Sequence, residues 1–275
     1  MRILVAGGTG RAGRAVTARA VRAGHQVRAL SRTGADTSGA ARAEAVETVA
    51  GDLRGTSLPV ALLAGVDAVV DVSNVVTPSY RRAARFFRAG TENLVAAERA
   101  AGVRHHVVLS VVGADRFPGG YYRAKVEQEE AGARACVAAG ITHTVARVTQ
   151  FHDFAAMTYA SARLGPVVLA PRLHLRPVHL DDVADHLLDL LAHPAPGRAA
   201  ELSGPGAEDL DVMVRRFAAL QPMLARILAL PLPGAYGRAN RARVLSPTGG
   251  RRGKLGFETW LEQHATADRG SGSAK

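Results

Sequence analysis

The stretch Met1–Val16, MRILVAGGTGRAGRAV, decides how the chain is read. RILVAG (2–7) is a short, near-continuous apolar run, the pattern of a strand buried on both faces. From about Arg11 to Ala23 the chain is alanine-rich and dotted with arginine, which suits a helix. Between the two, Gly7, Gly10 and Gly13 fall at the spacing Gly-x-x-Gly-x-x-Gly, with Thr9 and Arg11 in the same loop. In a strand–turn–helix unit the first glycine permits a tight turn. The second lets backbone approach a pyrophosphate, and the third lets helix and strand pack closely. The helix start adds free N–H groups and the positive end of its dipole. A bare glycine triplet is a weak signal, and an ordinary glycine-rich turn is the competing reading. Its place after the first strand and before the first helix gives it weight.

Outward from that unit, strands and helices alternate. Gly24 suits the end of the first helix, and HQVRALSR restarts as a strand. AVETVAGDL and AGVDAVVDVS read as strands three and four. A helix from about Ser79 to Ala101, closed by Gly102, precedes HHVVLSVVG as strand five. A helix from about Tyr122 to Ala139, ended by Gly140, precedes ITHTVARV as strand six. This rhythm predicts an α/β fold over 1–150, a doubly wound parallel sheet with right-handed crossovers. After about Val148 the rhythm loosens. Short strands (PVVLA, LHLRPVHL) and helices (DDVADHLLDLLAHP, EDLDVMVRRFAAL) sit between prolines and glycines, which predicts a smaller mixed, substrate-binding lobe over 151–266. Residues 267–275, ADRGSGSAK, are small and polar and are expected to be a disordered tail.

Composition narrows the function classes. The formal charge of +11 raises nucleic-acid binding, but the arginines are dispersed and aromatics make up only 5% of the chain. Dispersed surface charge explains it better, part of it in NRARVLSPTGGRRGK, a loop or solvated face, and no nucleic-acid partner is expected. No run of about 18 apolar residues predicts a membrane span. The opening shows no leader pattern, and the one cysteine, Cys136, lies in an alanine-rich helical run as a buried thiol. A reducing cytoplasm is the expected compartment. His105-His106 reads as a strand edge or turn, and Asp181 or Asp182 as a helix cap, so no metal is expected. Oligomeric state is left open.

The glycine loop and its TG dipeptide resemble those of the extended and atypical short-chain dehydrogenases/reductases, particularly the NmrA-like NAD(P)-binding group. Further matches follow in the expected order: Ser31-Arg32-Thr33, Gly51-Asp52-Leu53, Ser73-Asn74-Val75, Leu109-Ser110, Tyr121-Tyr122-Arg123-Ala124-Lys125 and Pro177–Ala184. The resemblance covers 1 to about 190 and is faint beyond about 205. It implies a Rossmann fold with a small C-terminal substrate lobe. It also implies that Asp52 and Leu53 border the adenine, and that Ser73, Asn74 and Val75 border the ribose and nicotinamide. The second strand ends in Ser31-Arg32, with no acidic residue until Asp36, where NAD-binding relatives carry one. An arginine there accommodates the extra phosphate of NADP, so NADP(H) is the expected cofactor, with Arg11 a second phosphate contact.

Tyr121 and Lys125 lie four residues apart, on one face of a helix. The resembling enzymes use such a pair for proton transfer, the ammonium lowering a phenol pKa that is otherwise near 10, and the lysine also holding a ribose hydroxyl. Ser110 is the candidate for orienting a substrate carbonyl, with the Val111–Gly120 loop between it and Tyr121. Glu129 reads as an ion-pair partner of Lys125. Gln150, Phe151, His152, Phe154 and Met157 follow strand six, where an open α/β sheet exposes its ligand crevice; they are candidate substrate walls, with His152 a hydrogen-bond donor. The expected activity is NADPH-dependent reduction of a carbonyl or quinone on a largely apolar small molecule. The alternatives are a catalytically silent NADP(H) sensor and a nucleoside-sugar epimerase or dehydratase.

Overall fold

A computed structural model describes residues 1–34, 45–222 and 225–271, with side chains described through 265. Asp36 and the last four residues of the expected tail lie outside the described residues. The chain begins with β1 (Arg2–Ala6), α1 (Arg11–Arg22), β2 (Gln26–Ser31), β3 (Val46–Ala50) and β4 (Ala68–Asp71). It continues through α2 (Tyr80–Ala101), β5 (His105–Val111), α3 (Gly120–Ala139) and β6 (Thr142–Val148). Next come α4 (Phe154–Ser161), β7 (Arg163–Leu164), β8 (Val167–Pro171), β9 (His174–Leu175), α5 (Leu180–Ala192) and β10 (Gly197–Arg198). The remaining elements are β11 (Leu202–Ser203), β12 (Glu208–Asp209), α6 (Leu210–Ala218), β13 (Arg226–Leu230), α7 (Gly234–Arg241), β14 (Arg251–Arg252) and α8 (Phe257–Ser271).

The chain divides into two units, the first made of 1–115, 119–147 and 183–200, the second of 116–118, 148–182 and 201–275. In the first, the strand order is β3-β2-β1-β4-β5-β6, with β10 alongside β6. Strands β2, β3 and β4 pair in parallel with their neighbours, as expected of a Rossmann-like sheet with helical crossovers. Its core is aliphatic, with Leu4, Leu30, Leu63, Val69 and Leu94 among the buried residues. Both long helices stop where a glycine turns left-handed: Gly102 (φ 75°) after α2 and Gly140 (φ 70°) after α3.

Three expectations are corrected. The break near residue 150 falls at Arg147/Val148, but 183–200 returns to the first unit, where α5 is tied to α1 by an Arg19–Asp185 ion pair and Gly197 pairs with Thr144. The expected tail from 267 is helical through Ser271, as the end of α8. His105 and His106 lie at neither edge nor turn. They are buried in β5, where Thr144 and Glu98 satisfy one ring nitrogen of each.

The second unit has a three-stranded sheet, β13-β8-β7, and a β12–β9 pair. Its core is aromatic: Phe217 sits 5.6 Å from Tyr159 and 5.9 Å from Trp260, and Trp260 stacks on Phe257 at 5.5 Å. Of the segment expected as a loop, NRARVLSPTGGRRGK, Asn240 and Arg241 close α7 and Arg251–Arg252 form β14 beside β11. Asp182, expected as a helix cap, accepts from the Lys254 and Leu255 N–H groups and so holds the segment before α8. Among the described residues no helix is long and apolar enough to cross a membrane.

Candidate dinucleotide site

The loop between β1 and α1 is shaped by what its glycines cannot carry. Gly7 has φ 79°, and its N–H and that of Gly8 both donate to the Leu30 carbonyl oxygen at 3.0 Å. A Cβ on Gly7 would lie 2.9 Å from Ser73 Cα, and one on Gly13 would lie 2.2 Å from the Gly7 carbonyl oxygen. Those two positions need glycine for folding. Gly10 is different. Its φ of −71° suits any residue, and a Cβ there would touch only the Gly7 oxygen, at 3.1 Å. Gly10 is exposed at the N-terminus of α1, which has no side-chain cap. The loop thus leaves helix N–H groups uncovered beside a glycine whose backbone angle does not demand glycine, a fit for a pyrophosphate. Arg14 steadies the cradle by donating to the Thr9 carbonyl oxygen at 2.7 Å, and Arg11 is exposed at the first position of α1.

Around this cradle stand the ends of β2, β3 and β4. Ser31 Oγ accepts from the Gly34 N–H at 3.1 Å, and Arg32 is exposed. Asp52 is paired with Arg54 at 2.7 Å, and hydrogen bonds from the Arg54 side chain and backbone hold its carboxyl down at about 2, with Arg32 contributing more weakly. The Leu53 side chain belongs to the core with Leu30, Leu58 and Leu94, where it fills the space over Gly90 of α2. Ser73 is buried and its N–H donates to Asp71. Asn74 is exposed, and Val75 packs against the buried cluster of Ala83, Phe87 and Ala124, as Tyr121 does.

The expected catalytic trio is not assembled as the spacing implied. Tyr121 donates to Asn74 Oδ1 at 3.2 Å, and burial pushes its phenol up to about 12. Lys125 is buried, and its Nζ donates to the Leu109 carbonyl oxygen (2.7 Å) and to Gln128 Oε1 (2.5 Å). It also sits 4.6 Å over the Phe87 ring. Burial lowers its pKa to about 8, opposed by Asp71 and Glu129. The helical register does place the two residues on one face, but the long lysine stem runs inward while the phenol turns to β4. Ser110 is likewise engaged: its hydroxyl donates to Glu129 Oε1 at 2.5 Å. Glu129 pairs with Arg147 (2.8 Å), not with Lys125, and Arg147 also meets Asp115 at 3.0 Å. The hydroxyl expected to orient a carbonyl therefore has its hydrogen held by a buried carboxylate.

The expected substrate walls lie in the second unit. Gln150 is half-buried, and Phe151 bridges to Val178. His152 is buried with Nε2 3.0 Å from the Leu255 carbonyl oxygen, an arrangement in which that nitrogen carries the proton. Burial lowers its pKa to about 4, so the ring is neutral at pH 7 and its Nδ1 is an acceptor. The expected hydrogen-bond donor is thus engaged with the backbone. Phe154 and Met157 on α4 are half-buried, while Ala155, Thr158 and Tyr159 form the helix's core face.

A family model described as NAD(P)H-binding matches residues 7–194, more than half of the chain, and that span holds the whole cradle. The chain belongs to this NAD(P)H-binding family. A nicotinamide dinucleotide is therefore its cofactor class, and its fold is that of the short-chain dehydrogenase/reductase superfamily. A superfamily protein from Agrobacterium tumefaciens with bound NAD is 21% identical, with 98% of each chain covered and a TM-score of 0.71. MoeE5, solved with UDP-glucose and NAD, is 18% identical, covering 98% of this chain and 99% of that one, with a TM-score of 0.75. A UDP-glucose 4-epimerase from Thermotoga maritima is 16% identical, covering 98% and 99%, with a TM-score of 0.73. No curated protein matches the chain in sequence.

Several residues that shape the family's site here escape a motif reading. Gly8 is one: a Cβ there would lie 2.8 Å from Ala29 Cβ, so it sets how closely the loop meets β2. Asp71, Thr91 and Gln128 form a buried chain with Lys125, Gln128 Nε2 donating to Asp71 (3.0 Å) and Thr91 (3.2 Å). The one local signal for this chain is the three-residue step from Lys125 to Gln128 on α3, which no motif marks.

Proposed function

We propose that the protein is an NADPH-dependent oxidoreductase of the NmrA-like kind that reduces a carbonyl or quinone on a largely apolar small molecule in the cytoplasm. The observation that carries this reading is a protonated phenol, Tyr121, held by Asn74 at the end of β4, in the unit that carries the glycine cradle. Gly7, Gly10 and Gly13 would admit the pyrophosphate, and Arg32 the extra phosphate. NADPH supplies a hydride when bound. Tyr121 supplies the proton: burial raises its phenol to about 12, so it is protonated at pH 7 and able to donate, as a weaker acid than an ordinary phenol. Asn74 fixes the direction of the phenol oxygen. Lys125 acts at a distance from that proton, bracing α3 against β5 through the Leu109 carbonyl.

A second reading, a dinucleotide sensor without turnover, is favoured by the engagement of Ser110 and Lys125 in buried contacts of their own. NADPH oxidation across a panel of ketones and quinones separates the two. The reductase reading expects turnover, with Tyr121→Phe losing on the order of a hundredfold in kcat while NADPH affinity changes little. Binding of NADPH with no turnover of any panel member supports the sensor. Full activity in Tyr121→Phe removes the phenol from the mechanism.

A further inference from the structure

Glu98 on α2, His106 on β5 and Cys136 on α3 converge in the first unit, and one ligand atom from each lies within 4.8 Å of the other two. All three are fully buried, and Cys136 packs with Val95 and Ile141. Neither the glycine cradle nor the Tyr121–Asn74 pair uses them. His106 Nδ1 and Glu98 Oε1 are 2.7 Å apart, yet Glu98 Oε2 and His106 Nε2 are buried with no hydrogen-bond partner. His143 on β6 adds a third such atom: its ring stacks on His106 at 5.6 Å, and its Nε2 is buried without a partner. Gly132, one helical turn before Cys136, leaves room for it, since a Cβ there would lie 2.7 Å from His143 Nε2. Glu98 Oε2 is a buried acceptor without a donor, and each neutral imidazole beside it presents one lone pair, on the nitrogen its tautomer leaves free, which favours a cation over an apolar filler.

We propose that Glu98, His106 and Cys136 form a site for a divalent transition metal, Zn2+ above all, with His143, which lies outside that 4.8 Å group, turning in as the fourth ligand. This revises the expectation of no metal, which rested on sequence spacing that ligands at 98, 106, 136 and 143 do not display. Thiolate and imidazole select zinc-like ions over Mg2+ or Ca2+. Zinc bonds of about 2.0–2.3 Å set tetrahedral neighbours roughly 3.3–3.8 Å apart, so side-chain rotation closes the set. On binding, the Cys136 thiol proton passes to solvent and the thiolate sulfur bonds the ion, while the His106 Nδ1 proton shifts to Nε2, which frees Nδ1 and the Glu98 carboxylate from their hydrogen bond to bond the ion as well. Four protein ligands would close the site, making it structural: it pins α2 and α3 to the sheet.

The test uses the full-length protein, stripped with a chelator and titrated with Zn2+ against a chromophoric competitor, then with Co2+. One equivalent of Zn2+ is expected to bind and raise Tm, and Co2+ to give a near-ultraviolet thiolate-to-cobalt charge-transfer band. The chain has one cysteine, so that band reports Cys136 alone, even without a variant. Cys136→Ala and His106→Gln, checked for folding by circular dichroism, should weaken Zn2+ by more than the about 10–100-fold typical of outer-shell changes. Replacing the exposed His193 by Gln should change nothing. A wild-type protein that shows no thiolate band, or a folded Cys136→Ala that keeps wild-type Zn2+ affinity, overturns the site.

Discussion

Ser110 and Arg32 carry opposite consequences for single substitutions. The Ser110 hydroxyl is buried and donates to the Glu129 carboxylate, so Ser110→Ala removes a hydrogen bond to a charged group. Unfolding in urea should show a loss of about 1.5–3 kcal/mol, with NADPH affinity unchanged. Unchanged stability with lost activity would return Ser110 to the catalytic role that its motif suggests. Arg32 is exposed, and removing its guanidinium should leave stability alone. Arg32→Ala should weaken NADPH by about 1.5–3 kcal/mol, roughly ten- to a hundredfold, and NADH much less. Equal losses in the two titrations would pass the discriminating role to Arg11. At this scale the sequence disclosed residue types and order but not direction. The Tyr–Lys spacing is visible in any print of the chain. That the ammonium turns to Leu109 and Gln128 is settled by packing against Phe87, which no local pattern records.

Element α3 is where burial and charge compete most directly. Lys125 carries an amine lowered from 10.5 to about 8 by burial. Below pH 8 folded and unfolded chains both hold the proton there; between about 8 and 10.5 only the unfolded chain does. Stability from this group therefore rises with pH across that window and is lost again as pH falls through 8. Urea unfolding of wild type and Lys125→Met at pH 7.5 and pH 10 should show the wild type gaining on the variant at the higher pH. A difference that stays flat would mean that the ammonium is not desolvated. Element boundaries were legible where chemistry marks them: Gly102 and Gly140 end α2 and α3 as their positions foretold. β5 was legible as a strand, but its two histidines looked like an edge because their partners, Glu98 and Thr144, come from other elements.

Across the whole molecule, legibility follows the range of the contacts. The doubly wound sheet could be read through Val148, because each strand and helix there is long enough to show its own period. Several strands of the second unit, such as β9, β11 and β12, are two residues long and have no period to read, while the five-residue β8 was legible as PVVLA. The return of 183–200 to the first unit depends on Gly197 finding Thr144, a pairing invisible in local sequence. The central claim is that the first turn of the chain is a dinucleotide cradle, and Gly10 tests it most directly, because its backbone angle suits any residue and an added Cβ meets a single atom, the Gly7 carbonyl oxygen at 3.1 Å, which must give by a few tenths of an ångström. The measurement is NADPH titration of Gly10→Val by calorimetry, beside wild type, with thermal melting of both as the check on folding. A melting curve close to wild type together with loss of NADPH binding is the predicted result. A folded Gly10→Val that binds NADPH with wild-type affinity would contradict the account.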